Sequence, residues 1–249
     1  RRRRYYQVSD YSFEKLTYDI FVCASTEHRF GTDAFLLTDF SAYKAKDLIC
    51  DLGTGCGIIP LLMQKSRPPK IIYAVDIQQN AINQLELGIE KSRTQNIIPI
   101  CADLKDLWKD APLSKLDLVV CNPPYKADNS GYKSTIDSQM IARHEVKCNI
   151  YDVCKAASML LKFGGRLCMC NRPERLADVI FAMKQNNIEP KRIRFVSKNP
   201  ESRPWLFLIE GKKGSKPFMI TESQLYIRAE DGFSDELKKI YNVGKDITK

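Results

Sequence analysis

The sequence predicts an α/β fold: a mostly parallel sheet with helices on both faces and an antiparallel pair of strands near the C-terminus. Three observations carry this. Over residues 46–187, short β-branched runs alternate with runs of helical period, as in a parallel sheet whose crossovers are helices. The first such run stops at three glycines set at alternate positions. After residue 190 two β-rich runs follow one another with no helix between them, which suits an antiparallel pair.

The elements follow in order. KDLICDL (46–52) is an apolar run ending at Gly53, and GIIPLLMQKS (57–66) is a helix whose proline falls early enough to be tolerated in the first turn. KIIYAVDI (70–77) is β-branched, and residues 78–95 place apolar side chains at helical spacing. NIIPICAD (96–103) and LDLVVCN (116–122) read as strands, the latter stopped by Pro123-Pro124. NIYDVCKAASMLLKF (149–163) reads as a helix closed by Gly164-Gly165, followed by the strand 164–171 and the helix 173–187. Residues 190–200 and 203–213 form the antiparallel pair, expected at an edge of the sheet. Residues 1–45 fit no unit of the repeat and read as an N-terminal region of one or two strands before a domain spanning 46–249. Residues 217–249 read as a strand and a short helix.

With 249 residues, 44% hydrophobic and 28% charged, the chain can bury a full core without metals or disulfides. Its longest apolar runs, such as IFVCA and WLFLI, are far short of the roughly 20 residues that span a membrane. RRRRYYQVSD has no apolar secretory run, so a cytoplasmic protein is expected. Nine cysteines are an odd number, and no CxxC occurs. Those at 50, 101, 121, 168 and 170 lie in apolar runs and read as small core hydrophobes in a reducing compartment, not as a metal site. The net charge is +9, and residues 162–216 hold 13 Lys and Arg against 5 Asp and Glu. A localised surplus attracts polyanions, or it is a merely soluble basic face.

DLGTGCG (51–57) falls between a strand and a helix, at the carboxyl edge where open parallel sheets bind ligands. Its GxGxG spacing departs from the GxGxxG of dinucleotide dehydrogenases, and it has no Walker lysine, which excludes a P-loop. Asp76 ends the next strand, where an acid can hold ribose hydroxyls or cap the following helix. Asp103, ending the third, can receive an adenine amino group or cap LKDLW.

Asn122-Pro123-Pro124-Tyr125 follows the fourth strand. A ring-conjugated amino group is a weak nucleophile because its lone pair is delocalised. An acceptor pair gripping both its hydrogens, here the Asn122 side-chain oxygen and the Pro123 carbonyl, would draw that lone pair out of the ring plane. Two prolines stiffen the loop, so little entropy is lost in aiming the acceptors. Tyr125 offers a stacking face worth about 1–3 kcal/mol per base. No general base is needed before methyl transfer, since the amine can lose its proton afterwards.

DLGTGCG, VDI, CAD and NPPY in this order resemble the class I S-adenosylmethionine-dependent methyltransferases that modify amino groups, over about residues 30–210. The resemblance implies a Rossmann-like seven-stranded sheet with an antiparallel last strand. It also implies that Asp51, Gly53, Thr54, Gly55, Cys56 and Gly57 wrap the cofactor's methionine part. Asp76 with Ile77 would hold the ribose, and Asp103 with Leu104 the adenine; Asn122, Pro123, Pro124 and Tyr125 would present the target nitrogen, with Asn122 also bordering the cofactor. More narrowly, FGTDAFLL (30–37), NPPYKADNSG (122–131) and IARHE (141–145) resemble the bacterial tRNA1(Val) adenine-37 N6-methyltransferase family. That implies a cofactor role for Gly31, Thr32 and Asp33, and a place bordering the target pocket for the stretch containing Arg143 and His144.

On the substrate side, residues 125–140 read as a mobile loop over the pocket, with Lys126 in it. In KRIRFVSK, Ile193 and Phe195 would face the core while Arg192, Arg194 and Lys198 face outward and, with Lys212, Lys213 and Lys216, track phosphates. The alternative is an edge strand whose charges prevent aggregation. Arg1 to Arg4 read as a basic arm or a disordered terminus. The expected partner is RNA, a tRNA, with no membrane and no metal, and the expected state is a monomer. A protein glutamine methyltransferase of the same chemistry and a non-catalytic RNA-binding protein are the competing readings.

Overall fold

The computed structural model describes residues 11–25, 30–65, 67–107, 115–123 and 149–241. Strands β1 (Ser12–Lys15) and β2 (Phe21–Ala24) form a hairpin of their own. Helix α1 (Thr32–Phe40) precedes β3 (Leu48–Leu52), α2 (Ile58–Leu62), β4 (Ile71–Asp76), α3 (Gln79–Ser92), β5 (Ile97–Cys101) and β6 (Leu116–Cys121). Then come α4 (Ile150–Leu160), β7 (Leu161–Asn171), α5 (Leu176–Gln185), β8 (Ile188–Ser197) and β9 (Leu206–Lys213). The described residues end with the two-residue strands β10 (Ile220–Thr221), β11 (Leu225–Tyr226), β12 (Arg228–Ala229) and β13 (Gly232–Phe233), and helix α6 (Asp235–Tyr241).

The main sheet runs β5-β4-β3-β6-β7-β9-β8, with β10 and β11 added along the outer side of β8. β5, β4, β3, β6 and β7 pair in parallel, and β9 alone of the seven long strands runs against its neighbours. The antiparallel strand is therefore interior, not the edge expected from the sequence: β9 inserts between β7 and β8. The expected edge strand is itself covered, because β10 and β11 pair with β8.

Alternation along the strands splits the core into two layers. Ile49, Ile72, Leu118, Val120, Cys168, Cys170 and Leu208 pack with α1, α2, Leu85 of α3 and Leu237 and Ile240 of α6. Cys50, Leu52, Val119, Leu167, Met169 and Phe207 pack with α4 and α5. Ile20, Val22, Ala34, Leu36 and Leu37 belong to the first layer, so packing does not break at residue 45. Ser92 of α3 ties β2 down through the Phe21 backbone, accepting from its N–H at 2.8 Å and donating to its carbonyl at 3.2 Å.

Two local expectations change. The glycine pair 164–165 does not end a helix: α4 stops at Leu160, and Gly164, at φ 75, sits inside β7 where its register with β6 shifts. A side chain on Gly165 would come within 2.8 Å of the Leu116 carbonyl, so the glycines let β7 press against β6. Among the cysteines, 50, 121, 168 and 170 are buried as expected, whereas Cys101, at the end of an outer strand, is exposed.

Candidate active site

The loops that carry the motifs emerge side by side at the carboxyl edge of the sheet. β3 lies between β4 and β6, with Leu52 opposite Val75 and Asp51 opposite Val120. Two residues beyond Asp51 and Val120 stand Gly53 and Asn122, so the glycine turn and the asparagine leave adjacent strands at one level. Asp76 lies opposite Cys101, two residues before Asp103. The chain order reverses at β3, the switch point at which open α/β sheets bind ligands.

Left-handed backbone shapes the glycine turn. Gly53, Gly55 and Gly57 have φ of 74, 55 and 79, a region that costs other L-residues strain. A side chain on Gly53 or Gly55 would meet nothing within 4 Å, so these two face open space. One on Gly57 would overlap Leu85 Cδ1, so this third glycine serves the packing of α3, not a ligand. Thr54 is buried, with its hydroxyl donating to Asp51 Oδ2 at 2.7 Å, and Cys56 is buried in the core, so only the backbone of these two can serve a ligand.

The Asp51 carboxylate is 1% exposed, and its Oδ1 has no hydrogen-bond partner among the described residues. Burial, reinforced by the Asp76 charge and opposed by the Thr54 hydroxyl, pushes its pKa up to about 7. Asp76 accepts from Gly55 N at 2.9 Å and from Gln78 N at 2.9 Å, locking the glycine turn to the start of α3. Each carboxylate oxygen offers two acceptor positions, so Asp76, which holds the residue before α3 without capping the helix, still has capacity for a ligand. Asp103 likewise accepts from Lys105 N at 2.9 Å, the capping role. Ile77, 43% exposed, stands beside Asp76, and half-buried Leu104 packs on the second core layer.

Helix α1 brings the GTDA stretch to the same region. Thr32 Oγ1 lies 2.8 Å from the Tyr241 hydroxyl of α6, and Asp33 Oδ1 accepts from Ala34 N at 3.0 Å. A side chain on Gly31 would press on that Asp33 oxygen at 2.7 Å. The Cys170 thiol, held well above its usual range by burial and then by the Asp33 carboxylate, donates to Asn122 Oδ1 at 3.0 Å. Cys170 therefore touches Asn122 and lies within electrostatic reach of Asp33, a proximity that spacing alone did not reveal. Pro123 is half-buried beside Asn122. Pro124, Tyr125, Lys126, Arg143, His144 and Arg1 to Arg4 lie outside the described residues.

The basic track is corrected. Arg192 bonds Glu222 at 2.7 Å, Glu210 at 3.1 Å and the Phe40 carbonyl at 2.6 Å. Arg194 grips both carboxylate oxygens of Glu236 at 2.7 and 2.9 Å. Both project, partly buried, on the face of β8 that carries Val196 of the first core layer, where the C-terminal segment covers them and takes their charge. Lys213 donates to the Leu161 carbonyl at 2.8 Å, and with Lys212 it ends β9 at the opposite edge of the sheet from Asn122. Lys198, by contrast, is exposed just past the end of β8, on the Asn122 edge.

A glycine turn, a strand-end acid and an asparagine just past a strand end thus stand together at the carboxyl edge of a Rossmann-like sheet. A family model, the methyltransferase small domain, matches residues 22–180, and the chain belongs to this family of S-adenosylmethionine-dependent methyltransferases. The chain is 30% identical over 201 residues to a tRNA1(Val) (adenine(37)-N6)-methyltransferase of Parabacteroides distasonis, covering 80% of this chain and 82% of that protein. It is 27% identical over 202 residues to the enzyme of that name from Phocaeicola vulgatus, covering 81% and 83%. With the one from Aeromonas salmonicida it shares 30% over 154 residues, 61% of this chain and 63% of the relative. In fold it resembles a "predicted O-methyltransferase" from Agrobacterium tumefaciens, with TM-score 0.69, 19% identity and coverage of 85% and 96%. It also resembles M. jannaschii TYW2 in complex with AdoMet, with TM-score 0.53, 14% identity and coverage of 84% and 89%.

The residues present fit S-adenosylmethionine. A buried carboxylate oxygen with no partner among the described residues suits a cofactor that carries an ammonium and a sulfonium. Two glycines that open onto free space let backbone approach it closely. No helix of the described residues is long and apolar enough to cross a membrane, and no cluster of three metal-ligating side chains occurs among them.

Proposed function

We propose that the chain methylates the exocyclic amino group of an adenine in RNA, a tRNA, with adenine 37 of a valine tRNA as the expected target. The observation that carries this reading is the position of Asn122: it leaves β6 beside the glycine turn, with a side-chain oxygen held by the sheet. The names of the relatives supply the substrate class.

In this reading Asp51 pairs with the cofactor's ammonium, Asp76 with its ribose and Asp103 with its adenine, while Gly53 and Gly55 leave room along its methionine part. Ile77 and Leu104 offer apolar contact to the adenine ring. When bound, S-adenosylmethionine supplies an electrophilic methyl group on a sulfonium. Asn122 Oδ1 and the Pro123 carbonyl accept the two amino hydrogens and turn the nitrogen lone pair toward that methyl. With its lone pair so aimed the nitrogen would take the methyl group without prior deprotonation, and its surplus proton would then leave for water. A base in an anticodon loop is already splayed, which lowers the cost of reaching it.

The test is mass spectrometry of nucleosides from tRNA incubated with the protein and cofactor. N6-methyladenosine is expected. Asn122→Ala is expected to lower turnover by about 100-fold or more, on the scale of losing one aimed polar group in an active site, and to leave cofactor affinity within a few-fold. Methyl transfer to a glutamine amide of protein with none to tRNA would overturn the RNA reading. Full activity of the variant would overturn the acceptor pair.

A further inference from the structure

Asn122 ends its strand, and the far torsion of an asparagine is broad and nearly two-fold. Its amide can therefore present either oxygen or nitrogen to a ligand. Only the oxygen accepts hydrogens from an amine. Something must select that orientation before substrate arrives.

We propose that Cys170 is a positioning residue for methyl transfer: its thiol, 3.0 Å from Asn122 Oδ1, donates to that oxygen and holds the amide in the accepting orientation. The inference rests on the role given to Asn122 above. In this orientation the thiol donates to a strong acceptor, whereas in the flipped one Nδ2 would donate to a sulfur that accepts only weakly, so the contact favours the accepting flip. The oxygen's second lone pair stays available for the substrate amine.

The surroundings make Cys170 a fixed post. It lies in the interior of the sheet, opposite Leu208 of β9, and its neighbour Met169 lies opposite Cys121 of β6. It is wholly buried in the apolar layer with Val120 and Leu208. Burial and the Asp33 carboxylate both keep the thiol protonated, so it remains a donor. A cysteine suits this place because it packs as a small hydrophobe and still carries one donor. Cys168, two residues earlier on the same face, directs its thiol to Glu210 Oε2 at 3.6 Å instead, which makes it an internal control.

The test compares Cys170→Ala, Cys170→Ser and Cys168→Ala in the full chain, by single-turnover methyl transfer to tRNA at saturating cofactor. Cys170→Ala is expected to slow the step about five-fold, the scale of one weak hydrogen bond, with cofactor and RNA affinities within two-fold. Cys170→Ser, which restores a donor, is expected within two-fold of the unmodified protein, and so is Cys168→Ala. A Cys170→Ala rate within two-fold of the unmodified protein, a Ser variant as slow as the Ala variant, or a Cys168→Ala variant equally slow would overturn the proposal. The Asn122 side-chain amide NMR signals give a second readout that needs no substrate. A single sharp pair in the unmodified protein that doubles or broadens in Cys170→Ala supports the proposal, and an unchanged pair overturns it. If the unmodified protein methylates no RNA, the proposed function falls and this second readout alone decides the role of Cys170.

Discussion

Two of the buried carboxylates on the sheet, Glu210 and Asp51, are treated by the fold in opposite ways. Glu210 of β9 is 9% exposed, and its Oε2 accepts from Arg166 at 2.9 Å, Arg192 at 3.1 Å and the Cys168 thiol at 3.6 Å. Those arginines also bond the carbonyls of Phe40 and Ser41, so Glu210 anchors the end of α1 to the sheet. Asp51 of β3 is more deeply buried, yet one of its oxygens has no partner among the described residues. A fold that satisfies the first network so completely has the means to satisfy the second. The contrast sets a carboxylate whose Oε2 is fully engaged by the fold against one with an acceptor left open at the carboxyl edge, the position at which the proposed function seats a cofactor.

Removing Glu210 is the largest way to break the comparison. Glu210→Ala leaves two partly buried guanidinium groups facing each other with their shared counter-charge gone. The expected loss is about 3 kcal/mol of stability, seen as a melting temperature roughly 10 °C lower. Cofactor affinity, measured on the folded protein, should stay within three-fold. A melting temperature within about 2 °C of the unmodified protein would show that the network is not structural.

Asp51 should behave in the opposite sense. Its folded pKa of about 7 lies above the ordinary carboxylate value. Between those two values the folded state therefore binds the proton more tightly than the unfolded one. Its contribution to stability is full below about pH 4 and is lost as pH rises to about 7. Asp51→Asn should accordingly melt higher than the unmodified protein at pH 8, without cofactor, and about equally at pH 4. The same substitution should weaken S-adenosylmethionine binding about ten-fold, the scale of one charge-assisted hydrogen bond. Affinity of the unmodified protein should rise between pH 6 and 7.5 while that of the variant stays flat. Calorimetric titration at three pH values checks this; parallel pH curves would reject an ionised Asp51 as the cofactor's partner.

The difference in legibility between these two carboxylates has a physical cause. DLGTGCG is readable because a tight turn imposes its glycines locally, within seven residues. Asp76 and Asn122 are readable because each ends a strand, and strand ends are marked by the next turn. The Glu210 network joins side chains from β7, β8 and β9, and no local period announces such a pairing. The alternation set Arg192 and Arg194 on the face opposite Ile193 and Phe195, but that face is not outward: it carries Val196 of the first core layer. The alternation could not reveal the segment covering them, since β10 and β11 are two residues long and leave no pattern. Lys212 and Lys213 looked adjacent to Arg192 in composition, but the antiparallel course of β9 carries them to the far edge. Cys170 reads as core on its own; its meeting with Asn122 depends on the register of β6 against β7.

The finest version of the contrast lies within the glycine turn itself. Gly53 and Gly57 share left-handed backbone, so an alanine at either incurs strain of about 1 kcal/mol. What the new methyl group meets differs. At Gly57 it overlaps the buried Leu85 side chain, adding a packing cost of about 1–3 kcal/mol, whereas at Gly53 it enters open space. Gly57→Ala should therefore lower the melting temperature by clearly more than Gly53→Ala does. Gly53→Ala should instead weaken cofactor binding by more than Gly57→Ala, because its methyl occupies the room left for the ligand. Thermal unfolding and cofactor titration of both variants give four numbers, and the expected result is a crossing: stability follows one glycine and affinity the other. If both quantities followed the same glycine, the turn would be a single structural unit, and the division between ligand-facing and core-facing positions would fail at the place where the two lie four residues apart.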